Sequence, residues 1–108
     1  MKTRKIYVPS DLKLNINIPA KGGFNMDDCD FEIEVFCTKS KSVVRKKAEM
    51  IRHSADCYVA MINTEEIIAG NGGELSVIIT AYVPDTDFID KLRTEVIVVE
   101  TGYVICRV

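Results

Sequence analysis

A chain of 108 residues, 47% apolar and 28% charged, has room for one domain whose core needs no disulfide or metal to hold it together. Its formal net charge of −2 excludes bulk attraction to nucleic acid or to an anionic membrane. No run reaches the roughly 18 apolar residues of a membrane-crossing helix, and no apolar stretch follows the charged start Met1-Lys2-Thr3-Arg4-Lys5. The expectation is therefore a chain made in the cytoplasm with no leader of its own.

The first predicted strand covers residues 12–18, where Leu12, Leu14, Ile16 and Ile18 alternate with Lys13, Asn15 and Asn17. Period-two alternation suits a half-buried strand, because successive side chains point to opposite faces. Pro19 ends it, and residues 20–25 form a turn or loop. The second strand, residues 30–38, sets Phe31, Ile33, Val35 and Cys37 against Glu32, Glu34 and Phe36. A polar turn follows at 39–42.

Residues 43–52 support two readings. Val44, Ala48 and Ile51 fit a helical stripe. A strand would put Val44, Ala48 and Met50 on one face, and a strand suits a short meander better. Residues 56–63 form a strand with Tyr58, Ala60 and Ile62 on one side and Cys57, Val59 and Met61 on the other. It has few polar residues, so it is expected to be central and covered on both faces. Residues 64–70 read as one helical turn, capped by Thr64, with Glu65 and Glu66 at its positive end and Gly70 as its stop. Asn71-Gly72-Gly73 turns the chain into a strand over 74–83, whose inner row is Leu75, Val77, Ile79, Ala81 and Val83. Pro84 opens a crossing loop, 84–92, anchored by Phe88 and Ile89. A strand over 93–100, a tight hairpin turn at Glu100-Thr101-Gly102 and a last strand over 103–108 close the sheet.

These elements predict an all-β protein: a single domain, 1–108, folded as an antiparallel immunoglobulin-like β-sandwich of about seven strands, with one short helical turn near 64–70. There is no Trp and no paired-cysteine pattern, so the antibody type is excluded.

No residue pattern points to catalysis or to a cofactor. His53 is the only histidine and falls in a predicted turn, so a Ser-His or Cys-His pair would have to use it there. Asp85, Asp87 and Asp90 could offer oxygens to a cation, as could Asp27, Asp28 and Asp30, but aspartates after a proline also serve as turn residues. Gly70, Gly72 and Gly73 lack the following Lys-Ser/Thr of a phosphate cradle and read as turn glycines. Cys29, Cys37, Cys57 and Cys106 show no C-x-x-C spacing and read as buried thiols acting as small apolar groups.

Charge is segregated. Residues 39–53 carry Lys39, Lys41, Arg45, Lys46, Lys47 and Arg52 against Glu49 alone, so this segment is +5 and the remainder −7. These six cations are a candidate charged interface. No aromatic residue interleaves them, which argues against a platform for single-stranded nucleic acid. An acidic patch on another protein chain fits them, and so does a solvated strand face.

The run Gly73-Glu74-Leu75-Ser76-Val77, followed by Ala81-Tyr82-Val83-Pro84-Asp85-Thr86-Asp87-Phe88, Leu92-Arg93-Thr94-Glu95-Val96 and Thr101-Gly102, resembles small β-sandwich proteins encoded in prophages of Bacteroides-type bacteria. Over about residues 30–108 the layout is similar to the N-terminal domain of phage baseplate upper proteins. The resemblance implies a non-enzymatic virion, tail or baseplate adaptor. It would act on other phage structural proteins or on copies of itself as a homo-oligomer, and would be incorporated into the virion after synthesis in the cytoplasm. The family has no catalytic residues to carry over, and the expectation is a stand-alone adaptor without the downstream receptor-binding module of that family. The competing class is a carbohydrate- or small-ligand-binding sandwich module. Its discriminator is exposed aromatics, and a cluster of Phe36, Tyr82 and Tyr103 on one solvent face would favour it.

Overall fold

The computed structural model describes residues 4–18, 26–38 and 40–107. Its strands are β1 (Arg4–Tyr7), β2 (Asp11–Ile16), β3 (Asp30–Thr38), β4 (Lys41–Lys46), β5 (Ile51–Ser54), β6 (Cys57–Asn63), β7 (Gly72–Pro84) and β8 (Leu92–Cys106). Short 3₁₀ turns lie at Met26–Asp28, Lys47–Glu49 and Thr64–Glu66. One sheet has the order β1-β8-β7-β3-β4 and the other β2-β6-β5. The chain is thus all-β, with two sheets around one core.

The alternation seen in the sequence builds that core. Phe31, Ile33, Val35 and Cys37 of β3 and Leu75, Val77, Ile79, Ala81 and Val83 of β7 are all buried. They share one cluster with Leu12 and Ile16 of β2 and with Tyr58, Ala60 and Ile62 of β6. Each large aliphatic side chain buried in this way contributes roughly 1.5–3 kcal/mol. Phe31 and Tyr58 meet edge to face across the sheets, with ring centroids 5.1 Å apart, a favoured geometry for aromatic pairs.

The architecture departs from the sequence expectation in several places. The described residues form eight strands instead of about seven, and the pairing is mixed. β1, which the alternation does not reveal, runs parallel to β8 from Arg4↔Tyr103 to Tyr7↔Cys106. Residues 43–52 are neither one strand nor a helix. β4 pairs with β3, the chain turns at Lys47–Glu49, and β5 joins the other sheet beside β6. Val43, not Val44, therefore packs against the core, and Val44 points outward. β6 is central in its sheet, yet Met61 on its outer side is about half exposed. Phe88 and Ile89 anchor nothing: Phe88 is half exposed and Ile89 fully exposed at the tip of the β7–β8 hairpin. The helical turn shortens to Thr64–Glu66, and Asn63 caps it in place of Thr64. The Asn63 side chain accepts from the Glu65 amide at 2.9 Å, and the Glu66 carboxylate accepts from the Asn63 amide at 2.9 Å, a reciprocal capping box. Pro19 and the loop at 20–25 lie outside the described residues.

Glu100-Thr101-Gly102 is not a hairpin turn, because β8 runs straight through it. Between the pairs Glu74↔Val104 and Ser76↔Glu100, β7 contributes Leu75 alone while β8 contributes Thr101, Gly102 and Tyr103. Gly102 takes a φ of 77°, a left-handed conformation that glycine adopts without steric cost. The Thr101 hydroxyl donates to the Leu75 carbonyl at 2.8 Å and accepts from the Tyr103 amide at 3.2 Å. This bulge separates two parts of β8. Residues 103–106 pair with β1, whereas residues 92–100 have β7 on one side and no described strand on the other. Gly72, read as a turn residue, opens β7 instead. A Cβ there would lie 2.0 Å from the Ile105 carbonyl oxygen, so close strand approach requires the glycine.

Candidate protein interface

The basic segment follows its strands apart. Arg45, on the core side of β4, donates to the Glu66 carboxylate at 2.7 Å. Lys41 donates to the Glu65 carbonyl at 2.9 Å. Lys47, in the turn between the sheets, places its ammonium on three backbone carbonyls: Met26 at 2.8 Å, Asp27 at 3.0 Å and Cys29 at 2.8 Å. The same ammonium sits 5.5 Å from the Phe31 ring centroid and 5.6 Å from that of Tyr58, within cation–π range. Arg52 grips Asp27 with two parallel bonds of 2.8 and 2.9 Å. Lys46 is exposed at the end of β4, and Lys39 lies outside the described residues. Four of these cations thus act as internal ties, three from a strand to a neighbouring turn and Lys47 from one turn to another.

Asp27 is the hub of the largest tie. It accepts from Arg52 and, at 2.5 Å, from the Tyr58 hydroxyl. The Arg52 bond, reinforced by Tyr58, holds its carboxyl down at about 2 from an ordinary 3.8. The Tyr58 hydroxyl is pushed up, chiefly because ionising it would cost that bond to Asp27. Arg45 likewise lowers the Glu66 carboxyl.

The outer face of the five-stranded sheet is different. Register places Val44, Glu34, Ile78 and Val98 in one row across four strands, with Lys46, Glu32, Thr80 and Val96 in the next. Ser42, Phe36, Ser76 and Glu100 form a third row. Val96 and Val98 are 62% and 64% exposed. Val44 is also exposed, and Glu34, Phe36, Ser42 and Ile78 line an open depression beside it. Contiguous exposed apolar groups rimmed by polar ones mark interaction surfaces. On the other side of the same stretch of β8, Val99 is also partly exposed. The free stretch of this edge therefore shows exposed valines on both faces, with Arg93 and Glu95 beside Val99 on the inward one.

The remaining candidates are placed as follows. His53 is an exposed residue of β5, not of a turn. Asp85 accepts from the Asp87 amide at 3.0 Å and from Arg93 at 2.8 Å, and Asp90 accepts from the Leu92 amide at 3.2 Å. These are turn roles. Asp30 accepts from the Phe31 amide at 3.0 Å. Among the described residues, no three His, Cys, Asp or Glu side chains group so as to hold a metal. Cys29 and Cys37 are buried free thiols whose pKa burial raises, whereas Cys57 and Cys106, also free, are only half-buried. Phe36 and Tyr82 share the outer face but stand six residues apart along β3, about 20 Å at strand rise. Tyr103 packs against the core. The three aromatics therefore form no common face.

Comparison of the chain with protein-family models, with curated proteins and with solved structures gives no match. None of the described helices is long and apolar enough to cross a membrane.

Proposed function

We propose that the protein is non-enzymatic and works through protein–protein contacts made by its five-stranded sheet, as a structural or adaptor domain that assembles with copies of itself or with other structural proteins. One observation carries this reading: Val96 and Val98 are largely exposed in adjacent outward rows, and Ile78 stands beside Val98 in the row that ends at the exposed Val44 beyond Glu34. Covering that surface would remove apolar area from water. An immunoglobulin-like assignment accompanies the proposal. In it, β2, β6 and β5 take the places of strands B, E and D, and β3, β7 and β8 those of C, F and G. β4 then extends the second sheet, and β1 lies beside the last strand. The prophage tail or baseplate setting is part of the same proposal and rests on the resemblance over residues 73–102.

Sedimentation velocity over a range of concentrations tests the assembly role. The wild-type chain of 12.1 kDa is expected to sediment as a larger species at high concentration. The double variant Val96→Lys/Val98→Lys should sediment as a monomer with an unchanged thermal melt. A wild-type protein that stays monomeric throughout would sink the proposal.

A further inference from the structure

We infer that two copies of the chain pair through the free edge of β8, residues 92–100, in an antiparallel arrangement about a two-fold axis. This deepens the assembly reading above and rests on it. The edge has the features that invite strand addition. Leu92 through Glu100 has β7 on one side and no described strand on the other. It is rich in β-branched residues, and neither Pro nor Lys interrupts it. Of the devices by which natural edges resist pairing, it carries two inward charges, Arg93 and Glu95, which neutralise each other in an ion pair of 3.2 Å, and a bulge that lies beyond its end at Thr101–Tyr103. Its unpaired backbone amides and carbonyls form a ready template for another strand.

The edge itself specifies its occupant. β1 closes one end, since it pairs with β8 from Arg4↔Tyr103 onward, so the socket has a defined length. Full antiparallel overlap of two such stretches places Leu92 opposite Glu100, Thr94 opposite Val98, and Val96 opposite its own counterpart on the outward face. On the inward face Arg93 meets Val99 and Glu95 meets Ile97. No like charges face each other, so the destabilising pairs are avoided, and Val96 against its counterpart and Thr94 against Val98 are pairs of β-branched residues. The ends are complementary as well. The hairpin tip carries exposed Asp87 and Asp90, and this overlap brings it to the level where β1 of the second copy begins. Arg4 and Lys5 are exposed there. Two-fold symmetry forms the acidic-to-basic contact twice. The paired sheets then bring the exposed Val96 and Val98 of both copies together at the centre of one outer face.

Hydrogen exchange at low and high protein concentration, read beside sedimentation, tests the inference. The expected result is a dimer in which half the amides of residues 93–99 gain at least tenfold protection as concentration rises. Val99→Lys, which sets a cation opposite Arg93 from a partly exposed position, should give a monomer and lose that protection. Val44→Lys, on the outer face but at the far edge, should leave the dimer intact. Asp87→Asn/Asp90→Asn should weaken it severalfold. If the protein associates while residues 93–99 exchange at the monomer rate, or if Val44→Lys dissolves the assembly and Val99→Lys does not, edge pairing is wrong and the sheet-face reading survives. A monomer at every concentration overturns both.

Discussion

The basic segment that spans β4 and β5 and the outer face of the five-stranded sheet treat their chemistry in opposite ways. In the basic segment, formal charge is high and little of it is free: Lys47 satisfies three carbonyls, Arg52 holds Asp27, and Arg45 holds Glu66. On the outer face charges at Glu32, Glu34, Lys46 and Glu100 alternate with apolar groups that a core would have taken and that are left in water. A cluster of cations in a sequence thus need not be a binding surface. A buried carbonyl without a partner costs more than an exposed charge gains, so the nearest long cation is drawn inward. An unremarkable row of valines on the second face of a strand is the more informative feature, because nothing inside the domain accounts for it.

The sharpest way to break this contrast is Lys47→Met, which keeps the stem and deletes the ammonium. Three carbonyls of the Met26–Asp28 turn and its exit lose their donor, and two aromatic rings lose their cation. Urea unfolding should show a loss of about 3 kcal/mol. A change within about 0.5 kcal/mol, typical of a surface site, would mean that the segment is a solvated face after all.

Next in size is the acid limb of stability. The Asp27 carboxyl is held at about 2 in the fold against 3.8 ordinarily, so the unfolded chain takes up its proton first as pH falls. The stability it confers is complete above about pH 4 and drains away toward pH 2. Asp27→Asn should flatten that part of the curve of unfolding midpoint against pH, leaving the neutral-pH slope alone. An unaltered acid limb would remove Asp27 from its role as hub.

A smaller difference separates the cysteines. Under native conditions an alkylating reagent should modify Cys57 and Cys106 within the time that leaves Cys29 and Cys37 untouched, because burial disfavours the two inner thiolates. Mass spectrometry of the partly labelled protein decides this, and equal labelling at all four would contradict the burial pattern. The smallest effect belongs to the outer face. Val98→Thr should shift folding stability by less than about 0.5 kcal/mol, yet reduce self-association measured by sedimentation. A large loss of stability would assign Val98 to the core and erase the contrast between the two regions.

Much of the fold is legible in the sequence, since alternation alone identifies the inner rows of β3 and β7 residue by residue. Other elements are not. β1 offers a single inward apolar residue, Ile6, and its partner lies almost a hundred residues away in the chain. Thr101-Gly102 carries the chemistry of a turn and of a bulge equally, and only the strand opposite decides between them. Phe88 and Ile89 look like anchors because large apolar side chains are usually buried, but the hairpin carries them beyond the reach of either sheet. The six cations at 39–52 were visible as a group. Their acceptors were not, since Met26, Cys29 and Glu66 have nothing in common with them in local pattern.

By itself, then, the sequence determined that this chain forms strands, which side chains in them face inward, and where most of them stop, because those properties follow from period-two patterning and local turn chemistry. Tertiary structure decided which strand lies beside which, where the cations spend their charge, and that residues 92–100 of β8 are left as an open edge with exposed valines. Those outcomes depend on groups brought together from distant parts of the chain, and no local pattern encodes which surfaces remain uncovered once the core is closed.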